Sequence, residues 1–386
     1  MTFQIPFNRP AMAGRELSCV EEALRSGHLA GDGPFTFRCA GLLEKLLGVP
    51  RVLLTTSCTH ALEMSALLLD IRPGDEVIVP SFTFVSTLNA FVLRGGCPVF
   101  ADIHESTLNM DENLLEGLVT PRTRAIVPVH YAGVGCEMDV IMTIARRHGL
   151  AVVEDNAHGL FAWYRQKALG TFGVLATQSF HETKNIVCGE GGALVLNEER
   201  LIERAEIIRE KGTNRSRFFR GQVDKYTWVD TGSSYLLSDL LAAFLYAQLE
   251  ERDAIQRKRR RVWEYYQERL APWIAEHGVR LPVIPEYCIH PYHLYYMLLP
   301  SLERRQALIA HLKANGIQAV FHYLPLHLSD MGRKFGGHER QCPVTEDVSD
   351  RLLRLPFFND ITEGEQDHVV SALKEFFEGK QRTHPA

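Results

Sequence analysis

From Val52 to Asn197, short apolar runs alternate with stretches whose apolar positions recur every three or four residues. The runs lie near 52–55, 76–80, 98–101, 125–129, 151–155, 174–180 and 193–197. They are short, apolar and bounded by polar turns, which predicts strands buried on both faces. Helical spacing fills the gaps near 59–69, 85–94, 111–118, 137–148 and 200–211. In the first of these helices Ala61, Leu62, Met64, Ser65 and Leu68 recur at that spacing. The alternation predicts an α/β fold: a mostly parallel seven-stranded sheet covered by helices, with ligands at the carboxyl ends of its strands. Thr55, Ser81, Asp155 and Ser179 fall at or just past such ends.

The pattern changes near 250. A charged helix over 238–270 leads to Pro282, Pro285 and Pro291, then to a shorter βαβ-like tract from Leu294 onward. This predicts a large domain over 1–250, with an N-terminal arm, and a smaller C-terminal α/β domain over 251–386. There is no internal repeat and no low-complexity tract.

Composition narrows the function. A chain of 386 residues can form two domains with substantial cores. A net charge of −5 argues against nucleic acid as a ligand. The basic run Arg257 to Arg261 sits beside Glu250, Glu251 and Asp253, as in a solvated helix face; a phosphate patch is the alternative. The eight cysteines are scattered, with no C-x-x-C pair, which suits neither a metal site nor a disulfide framework. Reduced thiols in a cytoplasm are expected. Met1 to Pro10 lacks the apolar core of a signal peptide, and no apolar run approaches a membrane span.

The densest chemistry lies in two places. Lys184 follows an apolar run (Leu175 to Phe180) and precedes the turn Gly189-Glu190-Gly191-Gly192. Upstream, Ala151-Val152-Val153 ends in Glu154-Asp155. A lysine and an acid at strand ends are what pyridoxal phosphate chemistry requires: the lysine forms the Schiff base, and the acid keeps the pyridine nitrogen protonated. A third element completes the set. Thr55-Thr56-Ser57-Cys58-Thr59 breaks the first strand and opens a helix, offering N–H groups, hydroxyls and the positive end of a helix dipole to a phosphate. An ordinary N-cap would use the same residue types; it is the combination with Asp155 and Lys184 that favours the phosphate.

These motifs resemble the DegT/DnrJ/EryC1/StrS family, fold type I aminotransferases of nucleotide-linked keto sugars. The resemblance runs from Pro6-Phe7-Asn8 to Arg354-Leu355-Pro356. It is sharpest in Gly31-Asp32-Gly33, in Pro80 to Thr87, in Pro128 to Gly133, in Arg209 to Arg215 and in Phe219 to Trp228. The resemblance implies pyridoxal phosphate as cofactor, L-glutamate as amino donor and a dTDP-linked 4-keto-6-deoxy sugar as acceptor. It also implies a homodimer or larger homo-oligomer with each active site at the interface.

Carried across by position, the resemblance makes Lys184 the Schiff-base lysine and general base, and Asp155 the partner of the pyridine nitrogen. His158 would bond the cofactor's phenolic oxygen, and Phe84 would stack on its ring. Cys58, Thr59 and Ser179 would hold the phosphate. Substrate contacts would come from Gly31, Asp32, His181, Lys211, Arg215, Arg220, Lys225 and Tyr323, with His181 read as a packing or substrate-contacting histidine and a catalytic one as the alternative. Relatives carry an asparagine that reaches the partner subunit's phosphate; Leu236 stands in its place, and Ser233 or Ser234 is its replacement. Asn156 stands where relatives have alanine. Some members exchange the lysine for histidine and become dehydratases; this chain keeps Lys184.

Overall fold

The computed structural model describes residues 3–379. Its twelve strands, among the described residues, are β1 (Arg51–Thr55), β2 (Glu76–Pro80), β3 (Cys97–Ala101), β4 (Thr123–Ile126), β5 (Ala151–Asp155), β6 (Trp163–Tyr164), β7 (Lys167–Ala168), β8 (Leu175–Ser179), β9 (Gly192–Leu196), β10 (Cys288–Ile289), β11 (Tyr296–Leu298) and β12 (Leu352–Arg354). Seven of them form one sheet in the order β1-β9-β8-β5-β4-β2-β3. Only β9 runs against its neighbours. The sheet is therefore mostly parallel, as the apolar runs predict.

Alternate residues of each strand feed opposite faces. Leu53, Val77, Val79, Val153 and Leu194 pack under helices Cys58–Leu68 and Ile202–Arg209. Val52, Leu54, Ala176, Ala193 and Val195 pack on the other side against Pro34–Leu47 and Asp239–Glu250. Further along that face, Ile78, Ile126 and Val152 meet Met138–His148. The strands are covered on both sides, which explains their near-continuous apolar character.

The reversed strand β9 matters for chemistry. The chain leaves the carboxyl end of β8, makes the loop 180–191 and re-enters the sheet at once. Gly192 at the start of β9 faces both Thr55 and Ser179. A Cβ there would collide with the backbone of Ser57 and Cys58. Glycine is what lets the first turn of helix Cys58–Leu68 lie so close to the sheet edge.

The predicted long helix is two. Asp239–Glu250 is capped by Ser238 and packs in the large sheet's core, whereas Arg252–Ile274 packs Val262, Trp263, Tyr266 and Leu270 into a separate cluster. Helical spacing continues across Glu251, so periodicity alone does not reveal the break. We retain 1–250 and 251–386 as the proposed domains; residues 1–2 and 380–386 lie outside the described residues. Ile5 of the N-terminal arm joins the C-terminal cluster, pairing with Ile317. The tract after Leu294 is not βαβ: β11 and β12 pair antiparallel, although helix Leu302–Ala314 lies between them in sequence.

The basic run also divides. Lys258 meets Asp360 at 2.6 Å and Arg260 meets Glu264 at 2.7 Å on the surface. Arg259 instead points inward, donating to the carbonyls of Tyr292 and His293 and to Asn359 Oδ1. Burial lowers its pKa to about 9. The run is a helix face with one structural arginine.

Candidate active site

The carboxyl ends of β1, β5 and β8 open into a cleft of about 730 Å³, whose other wall comes from the C-terminal region. Cys58, Thr59, Phe84, Asp155, His158, Ser179, His181, Lys184 and Tyr323 all line it. Nine positions scattered over the sequence thus meet in one space.

Asp155 ends β5 with 5% of its surface exposed. Its Oδ2 accepts from Thr87 Oγ1 at 2.7 Å and its Oδ1 from the Ala157 N–H at 3.2 Å. Thr87 is in turn bonded to Thr83 at 2.8 Å. No cation pairs with this carboxylate among the described residues, although buried charges are normally paired. Glu154, the adjacent acid, has a different task. Fully buried, it accepts from His130 Nε2 and from the N–H groups of Gly170, Phe172 and Gly173, tying the end of β5 to the following loop.

Asn156 ties two elements together. Its Nδ2 donates to the Leu169 carbonyl at 3.2 Å and to Gln178 Oε1 at 3.3 Å. Its backbone N–H donates to Thr177. It fixes the turn after β5 against β8.

Lys184 sits in the loop between β8 and β9. The Phe180 and Gly191 backbones bond across the loop's base, and Cys188 donates back to Phe180. Next to the lysine, Asn185 donates to the Pro291 carbonyl at 2.6 Å, and its Oδ1 meets His293 Nδ1 at 2.8 Å. From the N-terminal arm, Asn8 donates to the Glu182 carbonyl. Burial lowers the Lys184 pKa from 10.5 to about 8; the Asp155 carboxylate opposes the shift and Arg354 adds to it. The side chain keeps an opening to the cleft, and a sizeable fraction is neutral amine near neutral pH.

Facing this loop are stacked imidazoles. His158 lies 4.3 Å from His293 and 6.2 Å from His322, ring to ring. Burial holds all three pKa values well below the usual histidine range, so the rings are neutral. Tyr131 Oη meets His322 Nδ1 at 3.0 Å. His158 Nδ1 is buried without a hydrogen-bond partner, an unmet capacity that a cofactor oxygen would fill.

Helix Cys58–Leu68 points its N-terminus into the cleft, with Ser57 as N-cap accepting from the His60 N–H at 3.1 Å. Thr59 Oγ1 bonds Ser86 Oγ at 2.8 Å. Phe84, 57% exposed, lies over the mouth. These residues fit pyridoxal phosphate: phosphate donors at the helix end, an unpaired acid for the ring nitrogen, and an amine for the aldehyde.

The remaining expected contacts are elsewhere. Ser233 is exposed and its backbone pairs with Lys211 and Ile208. Asp32 bonds Arg209 at 2.5 Å, and Gly31 packs on Leu236. Arg220 pairs with Glu206 at 2.8 Å, and Arg215 lies 5.0 Å over the Phe219 ring. Lys211 and Lys225 are exposed. None of these lines the cleft of its own chain. Conversely, Ser86, Thr87, His293, His322 and Arg354 line it without having been singled out. The Ser86 and Thr87 hydroxyls end the quoted Pro80–Thr87 segment, so that signal was within reach. His293 and His322 come from the distant C-terminal region, which no local pattern connects to the sheet edge, whereas Arg354 opens the Arg354-Leu355-Pro356 end of the resemblance.

The architecture and the cleft agree with known proteins. The chain matches the DegT/DnrJ/EryC1/StrS aminotransferase family over residues 10–374 and belongs to it. Its fold is that of the fold type I aminotransferases. Similar solved structures include a putative sugar aminotransferase, Spr1654, from Streptococcus pneumoniae in its apo form (26% identity, 98% of each chain covered, TM-score 0.91). The pyridoxal phosphate form of that protein superposes with a TM-score of 0.89 at 26% identity, covering 97% of this chain and 99% of the other. DesV from S. venezuelae is 31% identical, with 98% and 99% of the two chains covered and a TM-score of 0.87.

Proposed function

We propose that this chain is a pyridoxal phosphate-dependent sugar-nucleotide aminotransferase. It would move an amino group from L-glutamate to C4 of dTDP-4-keto-6-deoxy-D-glucose, giving dTDP-4-amino-4,6-dideoxy-D-galactose. The observation that carries the reading is the shared cleft of Lys184, Asp155 and the N-terminus of helix Cys58–Leu68. The pyridoxal phosphate form of a similar sugar aminotransferase supports the cofactor. The choice of sugar rests on the segments Arg209 to Arg215 and Phe219 to Trp228, which resemble the dTDP-4-amino-4,6-dideoxygalactose transaminase of enterobacterial common antigen synthesis.

When bound, the cofactor supplies an electron sink that stabilises negative charge at the reacting carbon. The chain's residues do the rest. Asp155, oriented by Thr87 and the Ala157 N–H, would hold the proton on the ring nitrogen. The helix N-terminus, Thr59, Ser86 and Ser179 receive the phosphate. His158, held in place by its stack on His293, would donate to the ring oxygen. The Lys184 amine would hold and move the proton at sugar C4.

The site works in a homodimer on this reading. Gly31, Asp32, Arg209, Lys211 and Ser233 are linked by contacts to the stretch 230–239, outside their own cleft. The neighbouring tract exposes Phe219, Tyr226 and Trp228, a burial surface suited to a second copy. A cytoplasmic location follows from the substrates; among the described residues no helix is long and apolar enough to cross a membrane.

The test is an amination assay with L-glutamate across dTDP-, UDP- and GDP-linked 4-keto sugars, with C4 stereochemistry read by NMR. Preference for another nucleotide sugar moves the assignment within the class. Loss of a substituent without amine transfer would make the protein a lyase or dehydratase of the same fold.

A further inference from the structure

Residues 291–293 form a bend whose backbone is held against its own preference. Tyr292 lies at φ 54°, in the left-handed region that a side chain makes costly and that persists where surrounding contacts over-determine it. Contacts on both sides hold it there. Buried Arg259 donates from Nε to the Tyr292 carbonyl at 2.9 Å and from Nη2 to the His293 carbonyl. Opposite, Pro291 lies so close to the turn Tyr131–Gly133 that a Cβ on Gly133 would collide with the Pro291 ring and the His158 carbonyl.

The bend grips the residue beside the lysine. Asn185 is 7% exposed and follows Lys184 directly. Its Nδ2 donates to the Pro291 carbonyl at 2.6 Å. That carbonyl can only accept, so the amide oxygen is the atom that meets His293 Nδ1 at 2.8 Å, and His293 carries its proton there. Burial keeps the ring neutral, and its stack on His158 fixes its plane. The Pro291 carbonyl and the His293 ring flank Tyr292, so the Tyr292 torsions set the angle between two groups that must meet one amide.

We propose that His293 is a positioning residue for Lys184, acting through Asn185. The strained bend delivers one N–H to the residue next to the lysine and so fixes where the amine enters the cleft. Of the function proposed above, this rests only on Lys184 as the lysine that binds the cofactor aldehyde; the identities of donor and sugar do not enter. A displacement of about 1 Å at a reacting group costs up to about a hundredfold in rate.

The experiment mixes apoprotein with pyridoxal phosphate in a stopped-flow cell and follows the absorbance of the covalent lysine adduct. The amplitude counts folded protein, and the rate reports the placement of the amine. His293→Phe keeps an aromatic ring but removes the N–H, and Asn185→Ala removes its acceptor. Each should slow capture at least about tenfold per folded molecule. The double variant should be no slower than the worse single, since both break one interaction. His293→Asn, whose Nδ2 can take the place of the ring Nδ1, should stay within about threefold of wild type. Wild-type rates in His293→Phe and Asn185→Ala overturn the proposal. So do losses confined to amplitude or melting temperature, losses that add in the double variant, or a His293→Asn as slow as His293→Phe. If His293→Phe does not fold, Asn185→Ala and His293→Asn decide by the same criteria. An adduct that forms in wild type and is unchanged in the variants leaves Lys184 in place and removes His293 alone. An adduct absent from wild type removes Lys184 from its role, and the proposal with it.

Discussion

Lys184 should capture pyridoxal phosphate along a pH curve centred near 8, because burial lowers its pKa from 10.5 to about 8. The magnitude is simple to work. At pH 7 an amine of pKa about 8 is about 9% neutral, whereas an unperturbed lysine is about 0.03% neutral. Only the neutral amine attacks an aldehyde, so the buried lysine gains about 300-fold in reactive form at that pH. The assay is stopped-flow absorbance of apoprotein mixed with pyridoxal phosphate from pH 6 to 10.5, with Nα-acetyl-lysine as the unburied reference. The stability of the apoprotein supplies a second reading. Below pH 8 the lysine is charged in both folded and unfolded chains, so the cost of burying that charge is fully present. Between 8 and 10.5 the folded chain gives up the proton first, and stability rises with pH. A capture midpoint at or above 10 would refute the reasoning, since it would mean that the amine is solvated like the reference.

Lys184→Ala should abolish transamination while the cofactor still binds without a covalent link; turnover beyond a trace removes Lys184 from its role. Asp155→Asn keeps the fold but loses the proton on the ring nitrogen, adding about 2–4 kcal/mol to the barrier; single-turnover rates within about tenfold of wild type contradict it. Thr87→Val removes one hydrogen bond to Asp155 and one to Thr83, and a loss of about tenfold in single-turnover rate is expected, with a lowered melting temperature. Mixing Lys184→Ala with Arg220→Ala subunits should restore one working site per hybrid if Arg220 serves its neighbour; uniformly dead hybrids place its action within its own subunit or remove it from the site.

The large sheet was legible because its strands are buried on both faces, which gives short uninterrupted apolar runs with polar breaks. The same logic located Asp155, Ser179 and the phosphate turn at strand ends. Lys184 stood out because a reversed β9 forces a tight glycine-rich return after β8. Legibility fails where the folding signal is shared by two structures. A continuous helical spacing reads as one helix whether or not it breaks at Glu251, although Asp239–Glu250 is largely apolar and buried and Arg252–Ile274 carries the charged face. The antiparallel pairing of β11 with β12 is set by contacts made across the Leu302–Ala314 helix, and strand spacing is blind to direction. Arg259 and Arg354 show the same limit in side chains. Arg259 sits in a run of basic residues with nothing local to distinguish it, and Arg354 stands in a resembling segment that does not reveal its partners. Arg259 is satisfied inward by carbonyls of residues 292 and 293, more than thirty positions away in sequence. Arg354 is satisfied by nothing in its own chain beyond one carbonyl and a ring. Such settings become visible only when the fold brings residues distant in sequence into contact.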